Sequence, residues 1–340
     1  MTDDLSLEAG YGGLKPKKGK KFQLTDMMKR TFSQRGHNVR KIIMILSLFS
    51  TVAFFIALTK VFATKDPKIV IILAANEGGG VQRWKTPQEW SVERSSIANK
   101  KEYAEKHGYT LTIKDVSLKR RYSHEWREGW EKADILKQTM RQYPDAEWFW
   151  WLDLYTFIME PDVDLYEYLL DRVENKTYRT VDHFNPLKIE TEIPYEETSI
   201  SPVDLVLAED CGGFNLGSFF IRKSEWSEML LDMWWDPAWY DQKHMEWEHK
   251  EQDCLEVMYS TLPWVRDRLG FVPLRAINSF PPGACSDQKD DPRYFYKGED
   301  RDFVVNMAGC NYGGRSCWDE YEHYRKLQRS HNVAPWWKLW

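Results

Sequence analysis

Hydrophobic positions follow three rhythms along this chain, and each predicts a different kind of structure. From Ile42 to Thr59, IIMILSLFSTVAFFIALT runs eighteen residues without a charge, close to the roughly 20 that a helix needs to cross a ~30 Å hydrocarbon layer. This pattern predicts a membrane-spanning anchor, assigned to residues 42–62. A cleaved signal peptide would begin nearer Met1 and have a shorter apolar core, and a buried soluble helix is the other alternative.

The second rhythm is the unbroken apolar run. KIVIILAAN (Lys68 to Asn76) is apolar at nearly every position and ends in the turn signal NEGGG, as expected of a strand buried on both faces of a parallel sheet. EWFWWLDLY (Glu147 to Tyr155) reads the same way, with one aspartate near its end. The third rhythm is helical. From Gln88 to His107, apolar residues at Trp90, Val92, Ile97, Ala98, Tyr103 and Ala104 keep helical spacing and halt at Gly108, where a glycine can end a helix.

Between these lie YTLTIKDV, which alternates as a strand, and a helix predicted from Tyr122 to Gln142. Strand, helix, strand, helix, strand is the order of a doubly wound α/β half-domain. In such sheets ligands gather beyond the carboxyl ends of the strands. Further on, a helix is expected over Glu160 to Glu174 and a strand over Ile200 to Asp210, running into the glycine-rich CGGFNLGSFFIR. Helices are expected over Glu225 to Trp235 and Trp247 to Ser260, with loops and short strands after them. No 20–50-residue period repeats, which argues against a solenoid.

Charge adds an orientation. Residues 1–41 carry ten cationic side chains against four acids, the composition of a polar tail. The positive-inside rule places that tail in the cytoplasm, followed by the anchor, a short linker at 63–67 and a lumenal domain at 68–340. With 42% apolar and 15% aromatic residues in 340, the chain can pack a large core. The sequon Asn175-Lys176-Thr177 makes Asn175 a candidate glycosylation site. All five cysteines lie in the C-terminal half, where an oxidising lumen permits bridges. An odd number leaves one unpaired within the chain, and Cys310 with Cys317 is the first pair expected. Their spacings do not read as a zinc site.

Four stretches could carry chemistry. NEGGGV at Asn76 follows a buried strand but matches neither common phosphate loop, so a plain tight turn is the alternative. Asp153 ends an apolar strand, and a charge buried there needs a partner, a ligand or a metal; capping the next turn is its alternative role. AEDCGGFNLGSFFIR sets Asp210 and a glycine pair before Asn215 and Gly217, small and amide residues that suit a sugar, or a simple hairpin. EHKEQDCLEVM brings Glu251, Gln252 and Asp253 to a helix start, where acids cap and where carboxylates also reach clefts. Most of the seventeen tryptophans are expected in the core.

In order, IILAANEGGG, ERSSIANKKEYAEKHGY, WEKADILKQTM, AEWFWWLDLYTFIMEP, GGFNLGSFFIR, KEQDCLEVM and FVVNMAGC resemble glycosyltransferase family 34 over about Lys68 to Tyr324. That family joins fungal Golgi α-1,6-mannosyltransferases, yeast α-galactosyltransferases and plant xyloglucan xylosyltransferases. The resemblance implies a GT-A type domain, an α/β fold with a Rossmann-like mixed sheet, behind a single-pass type II Golgi anchor. It implies a retaining transfer of mannose from GDP-mannose to the α-1,6-linked mannan backbone of N-glycans. The partners implied are other mannan polymerase subunits, the Golgi membrane and an N-glycan acceptor, with no nucleic acid.

Carried over by position, the resemblance makes Ala75 and Asn76 border the nucleotide, with Lys132 as a nearby cation. Asp153 becomes the first acid of a D-x-D motif that holds Mn²⁺ against the donor diphosphate. Asp210, Asn215 and Gly217 would line the sugar and acceptor pocket. Gln252 and Asp253 would lie beneath the transferred sugar, Asp253 stabilising oxocarbenium-like charge. Two positions depart from the family pattern: Tyr155 replaces the second acid, and Asn306 replaces a metal-binding histidine. Each weakens neutralisation of the diphosphate. Transfer then rests either on Mn²⁺ held by Asp153 and Asn306 or on cations such as Lys132. A catalytically attenuated subunit and a UDP-galactose-dependent enzyme are the alternatives.

Overall fold

The computed structural model describes residues 39, 41, 43–54, 68–75, 85–115, 130–192, 201–243, 246–285 and 291–331. It divides into two compact units, Met1–Asp66 and Pro67–Trp340. In the first, residues 43–54 are helical and exposed, including the large apolar Ile43, Met44, Ile45, Leu46, Leu48, Phe49, Val52 and Phe54. Among the described residues no helix is long and apolar enough to cross a membrane. The rest of the expected 42–62 span, nearly all of the tail and the 63–67 linker lie outside the described residues.

The second unit is built on a six-stranded mixed sheet. Its strands are β1 (Ile69–Ala75), β2 (Thr110–Asp115), β3 (Trp148–Leu152), β5 (Leu205–Asp210), β6 (Gly213–Arg222) and β7 (Leu269–Val272), in the order β2-β1-β3-β6-β5-β7. Pairing is parallel for β1 with β2 and β3 and for β5 with β7, whereas β6 runs antiparallel to both β3 and β5. One reversed strand therefore leaves the carboxyl ends of β1, β3, β5 and β7 on a single edge. A separate two-stranded sheet pairs β4 (Thr156–Ile158) with β8 (Val304–Asn306), Thr156 opposite Asn306.

The unbroken apolar runs are explained by cover on both faces. In β1, Ile69 and Ile71 pack into one cluster and Val70 and Ile72 into another. In β3, Trp148 and Trp150 take the first side and Phe149 and Trp151 the second. Trp150 stacks on Phe220 and Phe303 at 5.3 and 5.7 Å and donates its indole N–H to Ser218 Oγ at 3.0 Å. These tryptophans are core, and the indole N–H groups of Trp150 and Trp151 are hydrogen-bonded.

The first helix, α1 (Pro87–His107), has a capping box between Thr86 and Glu89 and ends at Gly108, whose φ of 70° is the left-handed conformation glycine tolerates. Then come α2 (Glu131–Gln142), α3 (Glu225–Trp234), α4 (Glu251–Thr261) and α5 (Cys317–His331). Three expectations change. The helix expected at Glu160 to Glu174 is a short π-turn, Tyr166–Leu170, and a 3₁₀ turn, Val173–Asn175, separated by Arg172 at a left-handed φ of 53°. The helix expected from Trp247 starts at Glu251, because Lys250 has φ 54° and breaks the approach. The strand expected from Ile200 starts at Leu205. The α2 helix starts at Glu131, and residues 122–129 of its expected span lie outside the described residues.

Disulfides join Cys310 to Cys317, as expected, and Cys211 to Cys285, leaving Cys254 free and buried among the described residues. The Cys211–Cys285 bridge ties the loop between β5 and β6 to the segment that follows β7.

Candidate active site

Three groups of side chains meet at the edge where β3, β5 and β6 present their ends. The first is the Asp153 corner. Leaving β3, the Asp153 backbone N–H donates to Gly217 O at 2.8 Å and its carbonyl accepts from Thr156 at the following turn. Its carboxylate accepts from Trp151 Nε1 at 2.6 Å and faces Lys132 Nζ at 3.5 Å. Lys132, on α2, also lies 3.3 Å from Glu251 Oε1 and donates to Leu216 O at 3.0 Å. One ammonium thus ties β3, β6 and the start of α4 together. With Lys132 11% and Glu251 9% exposed, breaking such a bridge by removing one partner costs about 3–5 kcal/mol. Below it, the fully buried Lys100 donates to Ser96 Oγ at 2.7 Å and to Thr156 O, and burial lowers its pKa well below the usual lysine range.

The second group is an amide floor on β6. Asn215 is buried, and its Oδ1 accepts from Gly217 N at 2.8 Å and from Asn278 Nδ2, while its Nδ2 donates to Asp210 Oδ2. Asp210 Oδ1 accepts from Gly212 N at 2.6 Å. Asn215 therefore spends its oxygen and one N–H inside the protein, and Asp210 holds it rather than offering a free carboxylate. At Gly217 a β-carbon would come within 2.3 Å of Asn306 Nδ2, so only glycine leaves room for that amide. Asn278, fully buried, keeps an Oδ1 with no hydrogen-bond partner among the described residues. It is the residue sequence reasoning missed, since a lone asparagine in a loop carries no spacing signal.

The third group is the start of α4. Gln252 Oε1 accepts from Leu216 N at 2.9 Å, and Glu256 Oε1 accepts from Phe214 N at 2.7 Å, so two side chains of α4 hold consecutive alternate amides of β6. Gly213, at φ 106°, passes so close that a β-carbon would strike Glu256. Asp253 Oδ2 accepts from His249 N at 2.9 Å, and its Oδ1 lies 3.6 Å from His249 Nδ1. His249 also packs against Gly212 beside Asp210. The Asp253 hydrogen bond, with the charges of Asp253, Asp210 and Glu248, raises the His249 pKa, while burial raises that of Asp210. His249 is a second residue that sequence reasoning passed over.

Ala75 ends β1 at this same edge, buried, and Asn76 lies outside the described residues. Tyr155 turns into a small apolar cluster with Phe157, Met307, Tyr321 and Tyr324, and its backbone carbonyl accepts from Met307 N at 3.0 Å. Asn306 is buried over Gly217. A divalent cation wants several hard oxygens around it. Here Asp153 already faces an ammonium, the third residue of its triplet belongs to an apolar cluster, and Asn306 brings one neutral amide. The donor set does not fit Mn²⁺, and no group of three or more His, Cys, Asp or Glu is placed to hold a metal among the described residues.

This mixed sheet, with an acid, a cation and an amide floor at one edge, is that of a glycosyltransferase, here a hexosyltransferase. The chain belongs to the galactosyl transferase GMA12/MNN10 family, whose model matches residues 65–318. It is 60% identical over 271 residues to a probable alpha-1,6-mannosyltransferase, MNN10, of Saccharomyces cerevisiae, covering 80% of this chain and 68% of that protein. It is 45% identical over 302 residues to an uncharacterized alpha-1,2-galactosyltransferase of Schizosaccharomyces pombe, covering 88% and 86%. Among solved structures, a glycosyltransferase involved in glycosylation of the major capsid of PBCV-1 superposes with a TM-score of 0.49 at 15% identity, covering 76% of this chain and 100% of that one.

Proposed function

We propose that the protein is a retaining α-1,6-mannosyltransferase that takes mannose from GDP-mannose and extends the mannan backbone of N-glycans. The 60% identity to the probable alpha-1,6-mannosyltransferase MNN10 supports the sugar and linkage. The observation that carries the mechanism is the Lys132 ammonium set between Asp153 and Glu251. In this reading the donor diphosphate displaces one of the two carboxylates paired with Lys132, whose ammonium then supplies the positive charge that a metal supplies elsewhere, while Asp153 orients it. Asn278 holds Asn215 in place below the donor sugar, and Gln252 and Asp253 lie under the reacting carbon. The acceptor oxygen bonds to that carbon as its bond to the diphosphate breaks, and the diphosphate takes the acceptor proton.

The exposed apolar helix at residues 43–54 supports a membrane anchor, because so large an apolar surface is stable in lipid rather than in water. In this reading the chain is a type II Golgi protein with its 68–340 domain in the lumen, working with other mannan polymerase subunits. Asn175 is exposed at the end of its 3₁₀ turn, in reach of glycosylation, and treatment with an endoglycosidase should shift the chain's mobility unless Asn175 is replaced by Gln.

The second reading, transfer of galactose from UDP-galactose, is favoured by the galactosyltransferase relative. Purified full-length chain, alone and with its co-purifying subunits, should be given each donor with an α-1,6-linked mannobiose acceptor. Mannose transfer from GDP-mannose alone supports the proposal. Galactose transfer alone overturns it, and equal turnover by Asp153→Ala in the complex would place the chemistry in another subunit.

A further inference from the structure

A cavity of about 360 Å³ opens at the β7 side of the sheet, lined by Tyr178, His183, Phe184, Glu209, Phe271 and Arg293 among others. Nothing in the site above uses it. Glu209 and Asp210 are neighbours on β5, so their side chains leave opposite faces of the strand. Asp210 joins the amide floor, and Glu209 lines the cavity. The cavity and the donor edge therefore share one strand end.

Glu209 is 3% exposed, and its Oε1 has no hydrogen-bond partner among the described residues. A buried oxygen in that condition is rare and calls for a ligand or an equivalent partner. Burial, with Glu256 and Asp210 nearby, pushes its pKa up to about 8, so at neutral pH a proton is held and the carboxyl both donates and accepts. Around it the walls are aromatic. Tyr178 and His183 stack at 3.5 Å, and Phe184 lies under the Arg293 guanidinium at 4.3 Å.

The cationic rim does not favour an anion. Arg275 is bound by Asp300 and Asp302, Arg293 by Asp291, and Lys297 lies in the field of Asp300. Three cations meet three carboxylates, so no net positive charge remains for a phosphate. A pyranose suits what is left: its C–H face packs on aromatic rings and its hydroxyl edge meets a carboxyl that can donate and accept.

We propose that this cavity is a second carbohydrate subsite that grips a neutral hexose residue of the acceptor glycan at a distance from the reacting end. This rests on the glycosyltransferase reading above and extends it to acceptor length. A distal grip lets the enzyme distinguish an extended chain from a single sugar, because binding at a remote residue adds affinity for longer acceptors.

The test uses full-length protein in detergent and saturation-transfer NMR with α-1,6-linked mannotriose, alongside GDP-mannose binding by calorimetry. His183→Ala, Phe184→Ala and, at Thr180 in the cavity wall, the cavity-filling Thr180→Trp should weaken mannotriose binding about tenfold or more, as expected for lost stacking contacts worth about 1.4 kcal/mol, and leave GDP-mannose binding within about twofold. Glu209→Gln, which keeps a donor and an acceptor, should stay close to wild type, while Glu209→Ala should not. Unchanged thermal midpoints in His183→Ala, where the side chain is exposed, exclude misfolding as the cause. Equal mannotriose binding by all variants, or no binding by wild type, overturns the subsite. Loss of GDP-mannose binding by wild type with mannotriose still bound through the cavity would refute the donor assignment and support the subsite.

Discussion

The amide floor and the Asp153 corner lie side by side at one sheet edge, yet they are held by different forces. The floor is a network of amides anchored on one carboxyl: Asp210 to Asn215, Asn215 to Gly217 and Asn278, and Asn306 over Gly217. The corner is held by charge, a single ammonium between two carboxylates. A hydrogen-bonded amide network fixes shape, whereas a charge bridge fixes potential. Under the proposed function, the floor would recognise the sugar by shape and the corner would neutralise the diphosphate, so the two roles are separable by mutation.

The largest effect should come from the corner. Asp153→Ala is expected to reduce transfer by about 10²- to 10³-fold, the loss typical of one preorganised electrostatic group, with the folded chain retained by circular dichroism. Activity within threefold of wild type would break the contrast. Next, Gly217→Ala should reduce transfer at least about tenfold by displacing Asn306, and Asn306→Ala should restore part of it. The coupling in that double-mutant cycle is expected at about 1–3 kcal/mol; additive losses would show that the floor is not one network.

A smaller effect tests whether the corner has truly abandoned a second acid. Tyr155→Asp puts a carboxylate where Phe157, Met307, Tyr321 and Tyr324 pack, and should cost about 1–3 kcal/mol in chemical unfolding without making transfer respond to Mn²⁺. The smallest is pH. Glu209 and Glu256, beside Asp210, Asp253 and His249, are raised by burial from 4.5 to about 8 and about 7. A carboxyl raised on folding contributes stability that is whole below about pH 4.5 and is lost as pH rises through 7 to 8. The unfolding midpoint should therefore fall as pH rises from about 5 to 8, less steeply in Glu209→Gln, and transfer by the Asp153 corner should not follow the same curve.

Much of the fold was legible from residue pattern. The apolar runs of β1 and β3, the α1 helix to Gly108 and the Cys310–Cys317 pair stand as the sequence led one to expect. Asp153 was legible because a carboxylate in a tryptophan-rich strand needs a reason. The misses share a physical cause: they depend on contacts between residues far apart in the chain. Asn278 meets Asn215 across 63 residues, and no local periodicity announces that. The helix expected at Glu160 to Glu174 failed because Arg172 takes a left-handed backbone, which composition does not encode. Asn215 looked free to bind sugar, and only the packed structure reveals how much of its amide is already engaged.

Transfer by the purified full-length complex, measured in excess EDTA and again with added Mn²⁺, addresses the central claim that Lys132 carries the charge at Asp153. Rates within about twofold across both conditions are expected, with Lys132→Gln, fold retained, inactive in both. A wild-type rate abolished by EDTA and restored by Mn²⁺ would contradict it.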